Sequence, residues 1–358
     1  MEKEPFVRIA RKDDVRPGTT WAIRLCAFAL AIVLGGLVFV VCGANPVSSY
    51  ATIIDGALGK ATGIRQTIKI ATPLLGTALA LAPCFRMKYW NCGGEGQVTM
   101  GAMGAAFFAL NFGTKWPSAL LLPDMGIAGV VCGAVWALIP AFFKAKWNTN
   151  ETLFTLMMNY IAIGIVAWLQ GGPWEGKQGS QVVPNFKPAA VLPKVGGIHC
   201  GWIMVILLVL FIFFYLNFTK QGYEIAVMGE SVNTAKYAGM DVVRVVVRTA
   251  SISGAICGLV GFMLASGANQ TIYSAIAGGV GFTAITVAWL AQLNPFAMVV
   301  ISMMLAILTK GASSLQTVAA VPASVSQIIT GILLLCLLGS EFFINYSLIF
   351  KKSHKEGK

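Results

Sequence analysis

Long apolar runs separated by short polar stretches are the feature that most constrains this chain. Continuous segments rich in Ala, Gly, Leu, Val and Ile recur between residues 21 and 350. About 20 such residues are needed for a helix to cross the hydrocarbon core of a bilayer, whereas strands of a transmembrane barrel alternate in polarity over about 10 residues. Only 11% of the 358 residues are charged, against ~25% in soluble domains. The sequence therefore predicts an all-α polytopic membrane protein.

The apolar runs define about ten predicted spans. We place them at residues 21–43, 67–84, 98–112, 126–143, 153–170, 202–218, 249–268, 281–293, 295–308 and 327–348. An even number puts both termini on one side of the membrane. Most of the 26 Lys and Arg residues fall in segments that this topology makes cytoplasmic, as the positive-inside rule requires.

This topology divides the chain into three parts. Residues 1–20 form a cytoplasmic N-terminal segment, residues 21–350 form a single transmembrane domain, and residues 351–358 form a cytoplasmic tail. Within the domain, an external loop covers about residues 171–198 and a cytoplasmic loop about residues 219–247. Residues 45–64 form a further loop, in which a short amphipathic helix is possible.

Composition argues against several other functions. The net charge of +12 is explained by cytoplasmic loops, and no compact basic and aromatic patch suggests nucleic-acid binding. The eight cysteines include no Cys-x-x-Cys pair, and the only histidines are His199 and His354, so we expect no metal site. The sequence also lacks a phosphate-binding loop and the common hydrolase motifs. We expect no catalytic site and no cofactor, with any ATP used by a partner subunit.

Two glycine-rich breaks echo each other, Gly-Gly-Glu-Gly-Gln at 93–97 and Gly-Gly-Val-Gly-Phe at 278–282. Each follows one apolar run and opens the next. In the predicted topology the first run enters from outside and the second from inside. This favours inverted-topology repeats, which are common in transporters, although a coincidence between two breaks is the alternative.

Glu95 is the only acidic residue between Asp55 and Asp124. Broken backbone at membrane depth is tolerated only where protein or water satisfies its polar groups, and acids there usually line a cavity or pair with a base. Glu95 therefore either marks a helix break beside a translocation pathway or pairs with Arg86 or Lys88 in a cytoplasmic loop. Residue types alone leave both interpretations open.

Polar residues also mark two later segments. Asn150 is placed to cap the helix of the fifth span, and Asn159 inside that span either faces the pathway or, as we favour, bonds neighbouring helices. In the cytoplasmic loop, Ser231 and Gly239 suit the two ends of a short helix. That helix either docks a soluble partner or connects spans along the membrane surface.

Four motifs in order resemble one class of proteins. They are Asn91 with Gly-Glu-Gly-Gln at 94–97, Asn-Glu at 150–151 with Leu-Met-Met-Asn-Tyr-Ile-Ala at 156–162, the segment 222–239, and Gly279 with the residues up to Pro295. The chain resembles the ABC permeases of the branched-chain amino acid and simple-sugar class, in its nucleoside and sugar branch. The resemblance covers most of the chain, from about residue 64 to the last span.

The resemblance implies an assembly in the bacterial cytoplasmic membrane. Two permease subunits, identical or paired with a sister, would form an alternating-access pathway among membrane lipids. A cytoplasmic ABC ATPase would dock on the cytoplasmic loop, and an extracytoplasmic binding protein would deliver solute. The pathway residues it suggests are Asn91, Glu95, Gln97, Asn159, Phe282 and Thr283. The residues it suggests for ATPase coupling are Gly222, Tyr223, Glu224, Gly229, Glu230, Ala235, Tyr237 and Gly239.

Departures from the family pattern bear on the solute. Ser231-Val232 stand where the class commonly has Asn-Pro, Thr283 replaces an aspartate, and Ala291-Gln292 replace two glycines. We expect a permease for a nucleoside-like solute. A monosaccharide permease is the alternative within the class, and an ion-coupled secondary transporter or, more remotely, a membrane enzyme are alternatives outside it.

Overall fold

The structure is a computed structural model and describes residues 7–11, 17–319 and 323–350. The predicted tail 351–358, and residues 1–6 and 12–16 of the predicted N-terminal segment, lie outside the described residues. Helices dominate the rest, which confirms the all-α prediction. The α-helices are α1 Pro17–Val41, α2 Pro46–Ile54, α3 Ala61–Arg86, α4 Gly94–Phe112, α5 Ser118–Trp147, α6 Glu151–Gln170, α7 Gly201–Phe218, α8 Lys220–Glu230, α9 Val232–Tyr237, α10 Val242–Phe262, α11 Val280–Leu290, α12 Pro295–Ala319 and α13 Ala323–Asn345.

Each of the ten predicted spans overlaps one of these helices. Among the described residues, seven helices are long and apolar enough to cross a membrane, or up to eight if α1 and α2, bent by 114°, count as one span. Helix α11, with 11 residues, is shorter than the ~20 that a full crossing requires. The number of crossings and the side of the termini stay predictions.

Side chains begin several helices in the way their sequence predicts. The Asn150 side chain accepts a hydrogen bond from the Leu153 N–H at 3.1 Å at the start of α6. Ser231 accepts one from the Thr234 N–H at 3.3 Å at the start of α9. Each satisfies a backbone donor that the first turn of a helix leaves free.

Residues 60–306 form one compact unit, in which α10 packs against α3, α4 and α5. Glycines make the closest contacts. A Cβ added to Gly258 would overlap the carbonyl group of Gly129, and one added to Gly133 would overlap the carbonyl oxygen of Gly254. The pairs 129/133 on α5 and 254/258 on α10 each lie four residues apart, the spacing that lets two helices of a membrane protein approach backbone to backbone.

Residues 7–59 and 307–350 belong to the second compact unit. Its buried core joins α1, α2, the end of α12 and α13 through Phe39, Ile53, Leu315, Val325 and Ile329. Strand β1 (Val7–Arg11) pairs antiparallel with strand β4 (Tyr346–Phe350). The two ends of the described chain therefore lie side by side.

Several predicted boundaries differ from the ends of the helices. The last helix ends at Asn345 and the chain continues as β4, so the predicted span to residue 348 is too long. Helix α12 continues to Ala319 because polar residues after 308 end the apolar run and not the helix. The loop predicted at 45–64 contains the short helix considered possible there, α2, and is otherwise helical too, through a π-helical turn and the start of α3.

The loop between α6 and α7 folds back on the end of α10. A short hairpin pairs β2 (Lys194–Val195) with β3 (Ile198–His199). Its turn residues Gly196 and Gly197 have φ of +66° and +84°, the left-handed pair that a two-residue hairpin turn prefers. The N–H of Leu192 donates to the carbonyl of Ser266 at 3.2 Å, in the π-helical segment Met263–Asn269 that follows α10.

Candidate functional site

The two glycine-rich breaks meet in the structure at the carboxylate of Glu95. Its two oxygens accept hydrogen bonds from the N–H of Gly279 at 2.7 Å and of Gly281 at 2.8 Å. These are backbone donors at the first turn of α11, where the helix dipole is positive and favours an anion. The carboxylate, only 5% exposed, therefore lies against a helix start and not in an ion pair with Arg86 or Lys88.

The starts of α4 and α11 approach each other without intervening side chains. A Cβ added to Gly281 would lie 2.6 Å from the Cα of Glu95, and one added to Gly94 would lie 3.5 Å from the Cα of Gly281. Two positive helix ends in contact repel each other, and the carboxylate between them offsets that repulsion. The sequence echo therefore identified two segments that the fold brings together.

A pair of side-chain amides supports the first break. Asn91 and Gln97 bond each other reciprocally, with N···O distances of 3.0 and 3.3 Å. Asn91 also accepts from the Gly93 N–H at 3.0 Å and donates to the hydroxyl of Ser253 on α10 at 3.2 Å. Both amides are at least 98% buried, so each of these bonds replaces one to water.

Asn159 connects α6 to the same break. Its side-chain oxygen accepts from the Gly96 N–H at 2.8 Å, and its amide nitrogen donates to the Cys92 carbonyl at 2.9 Å. Thr155, one turn earlier, accepts from the Cys92 N–H at 3.1 Å. Asn159 thus has the helix-bonding role that the sequence favoured, and it satisfies backbone groups that the break leaves free.

The six predicted pathway residues divide into two groups. Asn91, Glu95, Gln97 and Asn159 are buried in the contacts described above, which we call the break network. Phe282 is 44% exposed on α11, and Thr283 is half-buried, with its hydroxyl donating to the Gly279 carbonyl at 3.1 Å. Contact of these residues with a solute stays a prediction.

Sequence reasoning missed an aromatic cluster beside α11. The rings of Trp90 and Trp289 stack with centroids 5.3 Å apart, and Phe85 lies 5.7 Å from Trp289. Both tryptophans are more than a third exposed. Their positions are far apart in the chain, so no spacing pattern could have paired them.

Seven of the eight predicted coupling residues lie on α8 and α9, two helices that meet at Ser231. The eighth, Gly239, lies just after α9. Glu224 forms an ion pair with Arg248 of α10 at 2.7 Å, and these side chains are 15% and 27% exposed. Gly222 and Gly229 are buried, and a Cβ on Gly229 would overlap the carbonyl of Arg86. These contacts fix the inner face of the segment on the membrane helices.

The outer face of the segment is open. Tyr223 is 64% exposed, Tyr237 is 93% exposed, and Glu230 is also exposed, whereas Ala235 is buried. A groove of about 600 Å³ runs beside Glu230 and is also lined by Lys88, Lys144, Glu151 and Lys236. The segment therefore exposes both charged and aromatic side chains.

Within the described parts of the chain, no three His, Cys, Asp or Glu side chains lie close enough together to hold a metal ion.

Comparison with known proteins identifies the family. Residues 63–338 match the family model described as the permease component of the branched-chain amino acid transport system. The chain belongs to this permease family. The permease is therefore a multi-pass membrane subunit of an ABC transporter, a system that also contains an ATPase and a binding protein.

Curated relatives of the permease align over most of their lengths. A glucose ABC transporter permease of Haloferax volcanii is 30% identical over 88% of this chain and 86% of its own. A guanosine ABC transporter permease of Bacillus subtilis is 29% identical over 94% of this chain and 97% of its own. A nucleoside ABC transporter permease of Lactococcus lactis is 26% identical over 93% and 94%. The resemblance inferred from the four motifs is confirmed.

Proposed function

We propose that this permease forms the alternating-access pathway for a nucleoside-like solute. The observation that carries the solute class is the alignment over 93–94% of this chain with two relatives named for guanosine and for nucleosides. A monosaccharide is the second candidate, because the relative with 30% identity is named for glucose. The solute would come from an extracytoplasmic binding protein, and a separate ATPase would supply the energy.

The proposal includes the arrangement in the membrane. Two permease subunits would enclose the pathway in a bacterial cytoplasmic membrane, each with about ten spans and both termini in the cytoplasm. The contact between the starts of α4 and α11 supports inverted repeats, since half-helix ends at mid-membrane are typical of that architecture. The exposed Phe282 on α11 would then face the pathway between the subunits.

Coupling to the ATPase would pass through one ion pair. The exposed side chains of α8 and α9 would contact the ATPase, and the Glu224–Arg248 pair joins α8 to α10. Helix α10 carries Ser253, whose hydroxyl accepts a hydrogen bond from Asn91 in the break network. A displacement of the coupling segment would thus be transmitted through α10 to the starts of α4 and α11.

A pull-down from detergent-solubilised native membranes tests the assembly. We expect a phosphate-binding-loop ATPase and a lipid-anchored binding protein to copurify with the tagged permease. The complex, reconstituted in liposomes with its binding protein, should then hydrolyse ATP faster with a nucleoside than with glucose. A permease that came down alone and moved solute with an ion gradient would contradict the ABC mechanism, whereas stimulation by glucose alone would contradict only the solute class.

Charge reversal in the coupling segment tests the docking assignment. We expect Glu230→Arg to uncouple ATP hydrolysis from transport in the reconstituted complex, because the exposed carboxylate would become a cation at the ATPase contact. Glu230→Gln removes the charge without reversing it and should give a smaller defect. Unchanged coupling in both variants would refute the docking role of this segment.

A further inference from the structure

A small cavity of about 160 Å³ lies at the outer end of α3 in the predicted topology. Arg65 and Lys69 of α3, Lys194 of the hairpin and His199 at its end contribute to its wall, together with backbone that follows α10. We call this cavity the basic pocket. Its lining contains three cationic side chains and no carboxylate, so positive charge converges there without an internal counterion.

His199 forms the buried floor of the basic pocket. The residue is 5% exposed, and within the described chain neither ring nitrogen has a hydrogen-bond partner. The ring is held in place between glycines, since a Cβ on Gly201 would lie 2.7 Å from its Nδ1 and one on Gly267 would lie 2.7 Å from its Cγ. A buried polar group without a hydrogen-bond partner is unfavourable, and a ligand in the cavity would supply that partner.

The backbone positions the cationic side chains at the rim of the basic pocket. Arg65 and Lys69 are four residues apart on α3 and thus on one face of the helix. The guanidinium of Arg65 lies against the hairpin turn, where a Cβ on Gly197 would meet its Cζ at 2.8 Å. Within the described residues none of the three cations takes part in an ion pair. All three exposed side chains are therefore available to a shared anion.

The state of the imidazole suits an anion as well. Burial lowers the pKa of His199 to about 4, and the charge of Lys69 acts in the same direction. The ring is therefore neutral at pH 7 and keeps one N–H as a donor. An anion bound above the ring would accept a hydrogen bond from that N–H and offset the repulsion among the cations.

We propose that the basic pocket binds a phosphate-type oxyanion, held by Arg65, Lys69 and Lys194 at the rim and by the His199 N–H at the floor. The cavity holds about five waters at ~30 Å³ each and is smaller than the ~300–1,000 Å³ of pockets for larger organic ligands. One tetrahedral anion fits this volume, and guanidinium recognises it with two parallel hydrogen bonds. The anion is either free phosphate or the phosphate of a lipid headgroup, and the site does not depend on the identity of the transported solute.

Histidine NMR on the full chain tests the proposal. His354→Gln leaves His199 as the single histidine of a ¹⁵N-histidine-labelled protein, purified in a phosphate-free detergent. Inorganic phosphate, added at pH 7 and constant ionic strength against chloride, should shift the imidazole signals in a saturable way. Lys69→Gln should weaken this response at least tenfold, because a hydrogen bond to a charged group is worth ~1.5–3 kcal/mol. The exposed Lys115, outside the pocket, offers the control Lys115→Gln, which should respond like the parent.

Two further samples distinguish the source of the anion. A shift in phosphatidylglycerol nanodiscs in phosphate-free buffer, absent in the detergent and unchanged by added phosphate, would assign the site to a lipid headgroup. A shift that needs free phosphate in both samples would assign it to the ion. Three outcomes would overturn the proposal: no saturable shift in any sample, an equal shift with chloride, or an unchanged shift in Lys69→Gln. A shift produced only by the binding protein would also overturn it and make the rim a protein contact.

Discussion

Gly281→Ala is the most direct perturbation of the contact between α4 and α11. The added Cβ would overlap the backbone nitrogen of Glu95 and lie 2.6 Å from its Cα, so one helix start must move away. Overpacking costs ~1–3 kcal/mol or more, and separation would lengthen two charge-assisted bonds worth ~1.5–3 kcal/mol each. Alanine gains ~0.5–1 kcal/mol over glycine in a helix. We expect a net loss of at least about 3 kcal/mol.

Thermal unfolding in detergent measures this loss. At ~2–4 °C per kcal/mol, the melting temperature of Gly281→Ala should fall by roughly 6–12 °C. Gly164→Ala is the matched control, because a Cβ at Gly164 of α6 meets nothing within 4 Å and the change should be neutral or slightly stabilising. Glu95→Gln keeps one acceptor without overpacking and should give an intermediate loss. Equal melting temperatures for the two alanine variants would refute the backbone contact.

Two further predictions concern charges outside the break. Arg248→Ala leaves Glu224 without its partner and should destabilise the protein by ~2 kcal/mol. The control Arg244→Ala, one turn away in an exposed ion pair at 3.6 Å, should change stability by less than ~0.5 kcal/mol. Equal melting temperatures for the two variants would contradict a stabilising role of the Glu224–Arg248 pair. In phosphate-free detergent His199 should titrate near its lowered pKa of about 4, beside the three cations of the basic pocket. Because the folded pKa is below the unfolded ~6.5, the stability contributed by the neutral His199 is full above pH ~6.5 and falls by about 3 kcal/mol as the pH drops to 4. NMR of the imidazole measures the pKa, and a value near 6.5 would contradict the prediction. The melting temperature should depend less on pH in His199→Gln than in the parent.

Local signals in the sequence predicted local structure well. The capping roles of Asn150 and Ser231 follow from residues within three positions, and the apolar runs located the helices because lipid exposure fixes their composition. The end of α13 was not predictable in this way. Residues 346–350 continue the apolar run, and only their partner strand at residues 7–11 makes them extended.

The contacts of Glu95 in the break network were beyond sequence reasoning because their partners are distant in the chain. The sequence offered Arg86 or Lys88 as partners for Glu95, both within ten positions. The structure pairs the carboxylate with backbone N–H groups more than 180 residues away. Backbone donors carry no residue signature, so the glycine echo could mark the two segments but not the hydrogen bonds between them.

A Cβ added to Gly101 of α4 would also overlap the backbone of Gly258 on α10, so glycine contacts join α4, α5 and α10 and have a mechanical consequence. Side chains that interdigitate can change rotamer and so accommodate a small displacement of one helix. Carbonyl groups in contact with Cα atoms cannot accommodate such a displacement. We therefore expect these three helices to move together as one rigid body during the proposed switch between outward and inward openings. Any bending would then occur in the irregular segments around them, which are the π-helical segment after α10 and the two glycine breaks. There the backbone can rotate without separating the three helices.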